Sequence, residues 1–96
     1  MKPVLFTPAA EADVQEAFEW YEAQRPGLGA GFRRALDLAV ESISAGPEAY
    51  PLVHRSTRRI LLPRFPYGLY YSIVDRQVVV VACIHGKRHP RIWRSR

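Results

Sequence analysis

Long apolar runs and cysteine are scarce in this sequence, and acids are nearly missing from its second half. No segment approaches the roughly 20 consecutive apolar residues that a membrane-spanning helix requires. The start, Met1-Lys2-Pro3-Val4, lacks the charged-then-apolar pattern of a secretory leader. The single cysteine, Cys83, cannot close an internal disulfide, so nothing asks for an oxidising compartment. These absences predict a cytoplasmic chain with no membrane association. Cys83 lies between Ala82 and Ile84 in the most apolar segment, which reads as a small buried hydrophobe rather than a nucleophile.

The shortage of acids is positional. Through Val53 there are eight acids against four bases; from His54 onward there are ten bases and one acid, Asp75. The overall charge of +5 is thus the sum of −4 and +9. A charge so one-sided points to a polyanion or an acidic partner on one flank of the molecule. Apolar residues at 48% and charged residues at 24% are otherwise ordinary for a globular protein. Residues 1–96 are expected to form one domain, with a basic C-terminal tail over 86–96.

Val4-Leu5-Phe6 reads as a short strand, after which Thr7 and Pro8 supply a cap and a first helical residue. Ala10, Val14, Ala17, Phe18 and Tyr21 recur at helical spacing, with acids on the other face. Arg25-Pro26-Gly27-Leu28-Gly29 makes a turn, and Phe32, Leu36, Ala39, Val40 and Ile43 stripe a second helix. Gly46-Pro47 ends it, the glycine being expected as a left-handed cap. Trp20 and Tyr21 are expected to pack within this helical hairpin. Glu48 to Ser56 reads as an irregular connection.

The period then becomes that of extended chain. Strands are expected over Thr57–Leu62, Tyr67–Val74 and Val78–Ile84, the last two joined by a tight turn at Asp75-Arg76-Gln77. The run Val78-Val79-Val80-Val81 is apolar on both sides, which predicts a mid-sheet strand. Tyr70 and Tyr71 must face opposite sides of their strand. The expected fold is α+β in the order β-α-α-β-β-β, a helical hairpin packed on a mostly antiparallel four-stranded sheet.

That order, with the residues it carries, resembles the RelE/ParE toxin superfamily of type II toxin–antitoxin systems. The stretches concerned are Phe6-Thr7-Pro8-Ala9-Ala10-Glu11-Ala12-Asp13, Trp20-Tyr21-Glu22, Arg25-Pro26-Gly27-Leu28-Gly29 and Pro47-Glu48-Ala49-Tyr50-Pro51. Arg64-Phe65-Pro66-Tyr67-Gly68-Leu69-Tyr70-Tyr71 and His85-Gly86-Lys87-Arg88-His89-Pro90 complete the set. The similarity is strongest to the ParE-like, plasmid-stabilisation branch. It implies a cognate antitoxin whose C-terminal segment wraps the toxin. The implied target is DNA gyrase for a ParE-like member, or messenger RNA on the ribosome for a RelE-like one. A third reading is a degenerate homologue that acts only as a binding module.

RNA cleavage without a metal needs a base, an acid and cations for the phosphorane. Arg64, His85 and Arg88 are the candidates, Arg88 lining up with a phosphate-contacting arginine of the family. Gly68 stands where RelE-like enzymes carry an arginine, and the nucleases' C-terminal tyrosine is replaced by Arg91-Ile92-Trp93-Arg94-Ser95-Arg96. The catalytic set is therefore incomplete, which favours the ParE-like reading, for which binding alone suffices. Candidate target- or nucleic-acid-binding residues are Arg58, Arg59, Arg64, Lys87, Arg88, His89, Arg91 and Trp93. His85 and His89 are spaced for a helical metal site, but Gly86 and Pro90 oppose a helix and no ligand completes the set. No metal and no cofactor are expected.

Overall fold

The computed structural model describes all 96 residues. Strand β1 (Val4–Phe6) leads into helix α1 (Pro8–Gln24), whose first free N–H groups are met as expected: Thr7 Oγ1 accepts from Ala10 N at 3.1 Å. Helix α2 (Leu28–Ala45) has no capping side chain of its own, because Gly27, at φ 92°, occupies that position. Glu22 reaches across from α1 instead, accepting from Gly27 N at 3.1 Å and Gly29 N at 3.0 Å. A Cβ at Gly29 would lie 2.9 Å from that carboxylate and 3.0 Å from the Phe18 ring, so any larger residue there must displace the Glu22 cap.

Gly46 ends α2 but not in the expected conformation. Its φ of −151° is not left-handed, and its N–H simply continues the helical pattern to Ser42 O. A short 3-10 turn over Pro47–Ala49 then receives the hydroxyl of Tyr71, which donates to Pro47 O at 2.6 Å.

The sheet has five strands rather than four. The segment expected to be irregular contains β2 (Leu52–His54), which turns at Arg55 into β3 (Thr57–Leu61). With only three residues, β2 is too short to show a period. β4 (Tyr67–Val74) and β5 (Gln77–His85) follow, joined at Asp75 and Arg76. Both have positive φ, the signature of a type I′ hairpin turn. Strand order is β1-β5-β4-β3-β2, all neighbours antiparallel except β1, which runs parallel to β5. The valine run lies mid-sheet, between β1 and β4.

One register shift governs how β5 is used. Tyr71 pairs with Val80 and Tyr70 with Ala82, leaving Val81 as an extra residue, a β-bulge. Val78 and Val80 face the helices, and beyond the bulge Cys83 does so instead of Ala82. The main core joins Val14, Phe32, Leu36 and Ile43 of the hairpin to Leu69, Tyr71 and Val80 of the sheet. A second, smaller cluster lies on the other face, where Tyr70, Ala82 and Ile84 meet Trp93.

The tail is ordered onto that second face by a short helix, α3 (Arg91–Arg94). Its final residue closes a gap in the sheet. β1 ends opposite Val80, so β5 continues past it with an uncovered edge. Asp13 of α1 accepts the Cys83 N–H at 3.1 Å, and Arg96 donates to Val81 O at 3.2 Å. The two side chains are also ion-paired with each other, so the chain's last residue and its first helix stand in for a missing strand.

Removing Asp13 by Asp13→Ala leaves a strand N–H without a partner, expected to cost about 1–3 kcal/mol in urea unfolding. Arg96→Ala removes a partly exposed pair, expected to cost about 1 kcal/mol or less; a larger loss at Arg96 than at Asp13 would refute the clasp. Burial raises the Tyr71 hydroxyl to about 12 and the Cys83 thiol to about 12, from ordinary values of 10.0 and 9.0. The unfolded chain therefore releases these protons first. Stability is at its full value below about pH 9 and falls as pH rises toward about 12. In Cys83→Ala the early part of that decline, measured by denaturant midpoints, is expected to flatten.

Candidate functional site

The β3–β4 loop, the end of β5 and the turn of the helical hairpin meet at one end of the molecule. Pairing of Tyr67 with His85 and a 2.7 Å bond from Gly86 N to Pro66 O bring the loop and the post-β5 turn together. Tyr21 of α1 packs on Phe32, Phe65 and Tyr67 at centroid distances of 5.5, 4.9 and 5.9 Å, locking the hairpin against the same corner. Burial raises the Tyr21 and Tyr67 hydroxyls above the ordinary tyrosine value.

Two recesses open at this end. The larger, about 1060 Å³, is an open groove floored by Leu28, Leu38, Phe65 and prolines and rimmed by Arg25, Arg34 and Arg64. None of these arginines has an ion-pair partner, and no acid lines the groove. Arg64 is held at φ 68°, a left-handed conformation that costs a residue with a Cβ and persists where its surroundings impose it. The smaller recess, about 430 Å³, lies between α1 and the sheet and is lined by Glu16, Trp20, Tyr21, Pro66, Tyr67 and His85. Arg88 lines a separate small pocket of about 30 Å³ beside it, which shares Glu16, Tyr67 and His85 with the recess and also holds Asp13. Trp20, expected to pack inside the hairpin, is instead 56% exposed here.

The candidate residues do not form one surface. Arg58 donates to Tyr50 O at 2.7 Å and Glu48 O at 3.2 Å, pinning the segment before β2. Arg59 lies on the open face of the sheet, where its Cγ and Cδ would be 3.3 Å from a Cβ at Gly68. The arginine that crosses above Gly68 thus comes from the neighbouring strand, and Arg64 belongs to the hairpin groove. Trp93 is buried, stacked on Tyr70 at 4.4 Å, with the Arg94 guanidinium 5.4 Å from its ring. Lys87, His89 and Arg91 are exposed in the tail. His85, the last residue of β5, and His89 in the tail each bond the local backbone: His85 Nδ1 accepts from Lys87 N and His89 Nδ1 from Arg91 N, each at 3.0 Å. No group of three or more His, Cys, Asp or Glu gathers to hold a metal ion, and no helix is long and apolar enough to cross a membrane.

Residues 4–90 match the family model described as the ParE toxin of the type II toxin–antitoxin system parDE. The chain belongs to the ParE toxin family. No curated protein matches it by sequence. Among solved structures, this ParE-family toxin is similar to one titled a chromosomal ParDE system from P. aeruginosa. The TM-score is 0.78 at 15% identity, over 88% of this chain and 96% of that one. It is similar also to one from the intact E. coli RelBE toxin–antitoxin complex, with a TM-score of 0.68 at 20% identity, over 92% and 100% of the two chains. The isolated E. coli RelE toxin gives 0.68 at 19% identity, over 99% and 95%. At these identities the likeness establishes the α+β fold.

Arg25 and Arg34, which with Arg64 make the groove basic, escape a reading by sequence halves because they lie among the acids of the helices. Only the closure of the hairpin against the β3–β4 loop assembles them. Trp93→Ala is expected to destabilise this ParE-family toxin by about 3–5 kcal/mol, the range for an aromatic ring removed from a packed site. The tail should then become protease-sensitive ahead of the rest of the chain. Unchanged unfolding would mean that the tail does not hold the second face.

Proposed function

We propose that this ParE-family toxin acts as a single cytoplasmic domain, residues 1–96, that inhibits DNA gyrase by binding and is neutralised by a cognate antitoxin. The observation that carries the partner is the groove at the hairpin turn: an apolar floor with three unpaired arginines and no acid. An amphipathic acidic segment satisfies both features, its apolar side chains on the floor and its carboxylates on Arg25, Arg34 and Arg64. The relatives described as ParDE and RelBE systems are toxin–antitoxin assemblies by title, which supports the same reading.

Binding is favoured over RNA cleavage by how the candidate nuclease residues are distributed. Arg64 lines the hairpin groove, whereas His85 and Arg88 line recesses on the α1 side. A transition state needs its cations and proton carriers around one phosphate. The RelE-like alternative draws on Arg59, whose side chain crosses Gly68 on the open sheet face.

Induction of the toxin without its antitoxin decides between the two targets. Double-strand breaks and lost supercoiling before any change in message integrity are expected; early message cleavage at ribosomal A-site positions would overturn the gyrase reading. Arg88→Glu with Arg91→Glu is expected to abolish toxicity in a folded protein. Arg25→Glu with Arg64→Glu is expected to abolish rescue by the antitoxin.

A further inference from the structure

The recess between α1 and the sheet is not needed for the groove that takes the acidic segment, and its lining has a different chemistry. Four of its six lining residues carry aromatic rings: Trp20, Tyr21, Tyr67 and His85. Its one charged lining residue is Glu16. Of the acids on α1, Asp13 is held by Cys83 N and Arg96, Glu19 by Gln15, and Glu22 by the hairpin turn. Glu16 and Glu11 are exposed and have neither a side-chain hydrogen bond nor an ion pair, and of the two only Glu16 lines this recess, with Arg88 in the pocket beside it. A Trp ring more than half exposed beside an unpartnered carboxylate is surface left available for a ligand.

We propose that this recess is a binding site for guanine carrying a phosphate. Stacking against the Trp20, Tyr67 and His85 rings accepts any flat heterocycle; Glu16 makes the selection. A carboxylate is a pure acceptor with two oxygens, and it pairs best with two adjacent N–H donors in one plane. Guanine presents that pair, N1–H beside the N2 amino group. Adenine turns a ring acceptor toward the same oxygens, uracil flanks its one N–H with carbonyls, and cytosine places an acceptor beside its amino group. The cations fit the same occupant. Arg88 in the pocket beside the recess, with Lys87 on the turn whose backbone N–H is bonded to His85, is placed for a phosphate. The same charges oppose a free guanidinium or ammonium, which the aromatic rings alone would also welcome. At about 430 Å³ the recess falls in the size range of small-molecule sites. The guanine can come from a free nucleotide or from an unpaired position in a single strand.

The full chain carries its own reporter, because Trp20 is exposed while Trp93 is buried under Tyr70. Titrating GMP should quench Trp20 fluorescence at concentrations at least tenfold below those needed for AMP or UMP. Glu16→Gln should weaken GMP binding about tenfold and remove its preference over AMP, with the fold unchanged by circular dichroism. Trp20→Phe should abolish the optical signal while GMP binding persists by calorimetry. Equal binding of GMP and AMP, tighter binding of argininamide, or an unchanged Glu16→Gln would each overturn the site. Single-stranded U-rich octamers with and without one central guanine separate the sources. A guanine octamer binding more than tenfold tighter than GMP identifies a strand, and equal affinities identify the free nucleotide. None of these readouts depends on toxicity or on an antitoxin.

Discussion

The length mismatch between β1 and β5 is the constraint from which much of the structure follows. β1 has three residues and β5 nine, so β5 runs on beyond its parallel neighbour. Backbone groups there need partners, since an unpaired strand edge costs stability and invites association with other chains. Asp13 and Arg96 supply those partners from opposite ends of the sequence. The clasp therefore does two things at once. It completes the sheet, and it draws the basic tail across the open face so that Trp93 settles on Tyr70. The bulge at Val81 cooperates by switching the parity of β5, which sends Cys83 into the main core and Ala82 and Ile84 to the tail.

The electrostatics of this ParE-family toxin are only partly those of two opposed halves. Two of the five acids of α1 hold the fold: Asp13 at the sheet edge and Glu22 at the hairpin turn. Arg25, just past the end of α1, and Arg34 of α2 join Arg64 across the turn and make the hairpin end basic. Arg58 and Arg96 meanwhile serve the backbone and the clasp. Arg33 pairs within its own helix with Asp37 at 3.9 Å. The fold thus adds a basic hairpin end to the cations that remain on the sheet face and tail, Arg59, Lys87, Arg88 and Arg91 among them.

Some of the candidate site could be read in advance and some could not, for physical reasons. The helices, their start at Thr7 and the glycines of the hairpin turn carry local signals, because caps and turns depend on a few neighbouring residues. β2 has no such signal: three residues between Pro51 and Arg55 acquire extended structure only by pairing with β3. Glu22 looked like one more solvated acid of α1, and its capping of α2 exists only once the hairpin has closed. Trp20 illustrates the converse. Its helical position suggested packing, but the face it occupies is left open beside β4 and β5.

Taken alone, the order of residues determined the family, the α+β class, the alternation of helix and strand, and the imbalance of charge along the chain. These rest on local periodicity and on composition, which survive without knowledge of distant contacts. Strand order, the bulge, the clasp between Asp13 and Arg96 and the grouping of Arg25 with Arg64 were decided by tertiary structure. Each joins residues far apart in sequence, and such contacts form only where packing of the hairpin on the sheet fixes their geometry.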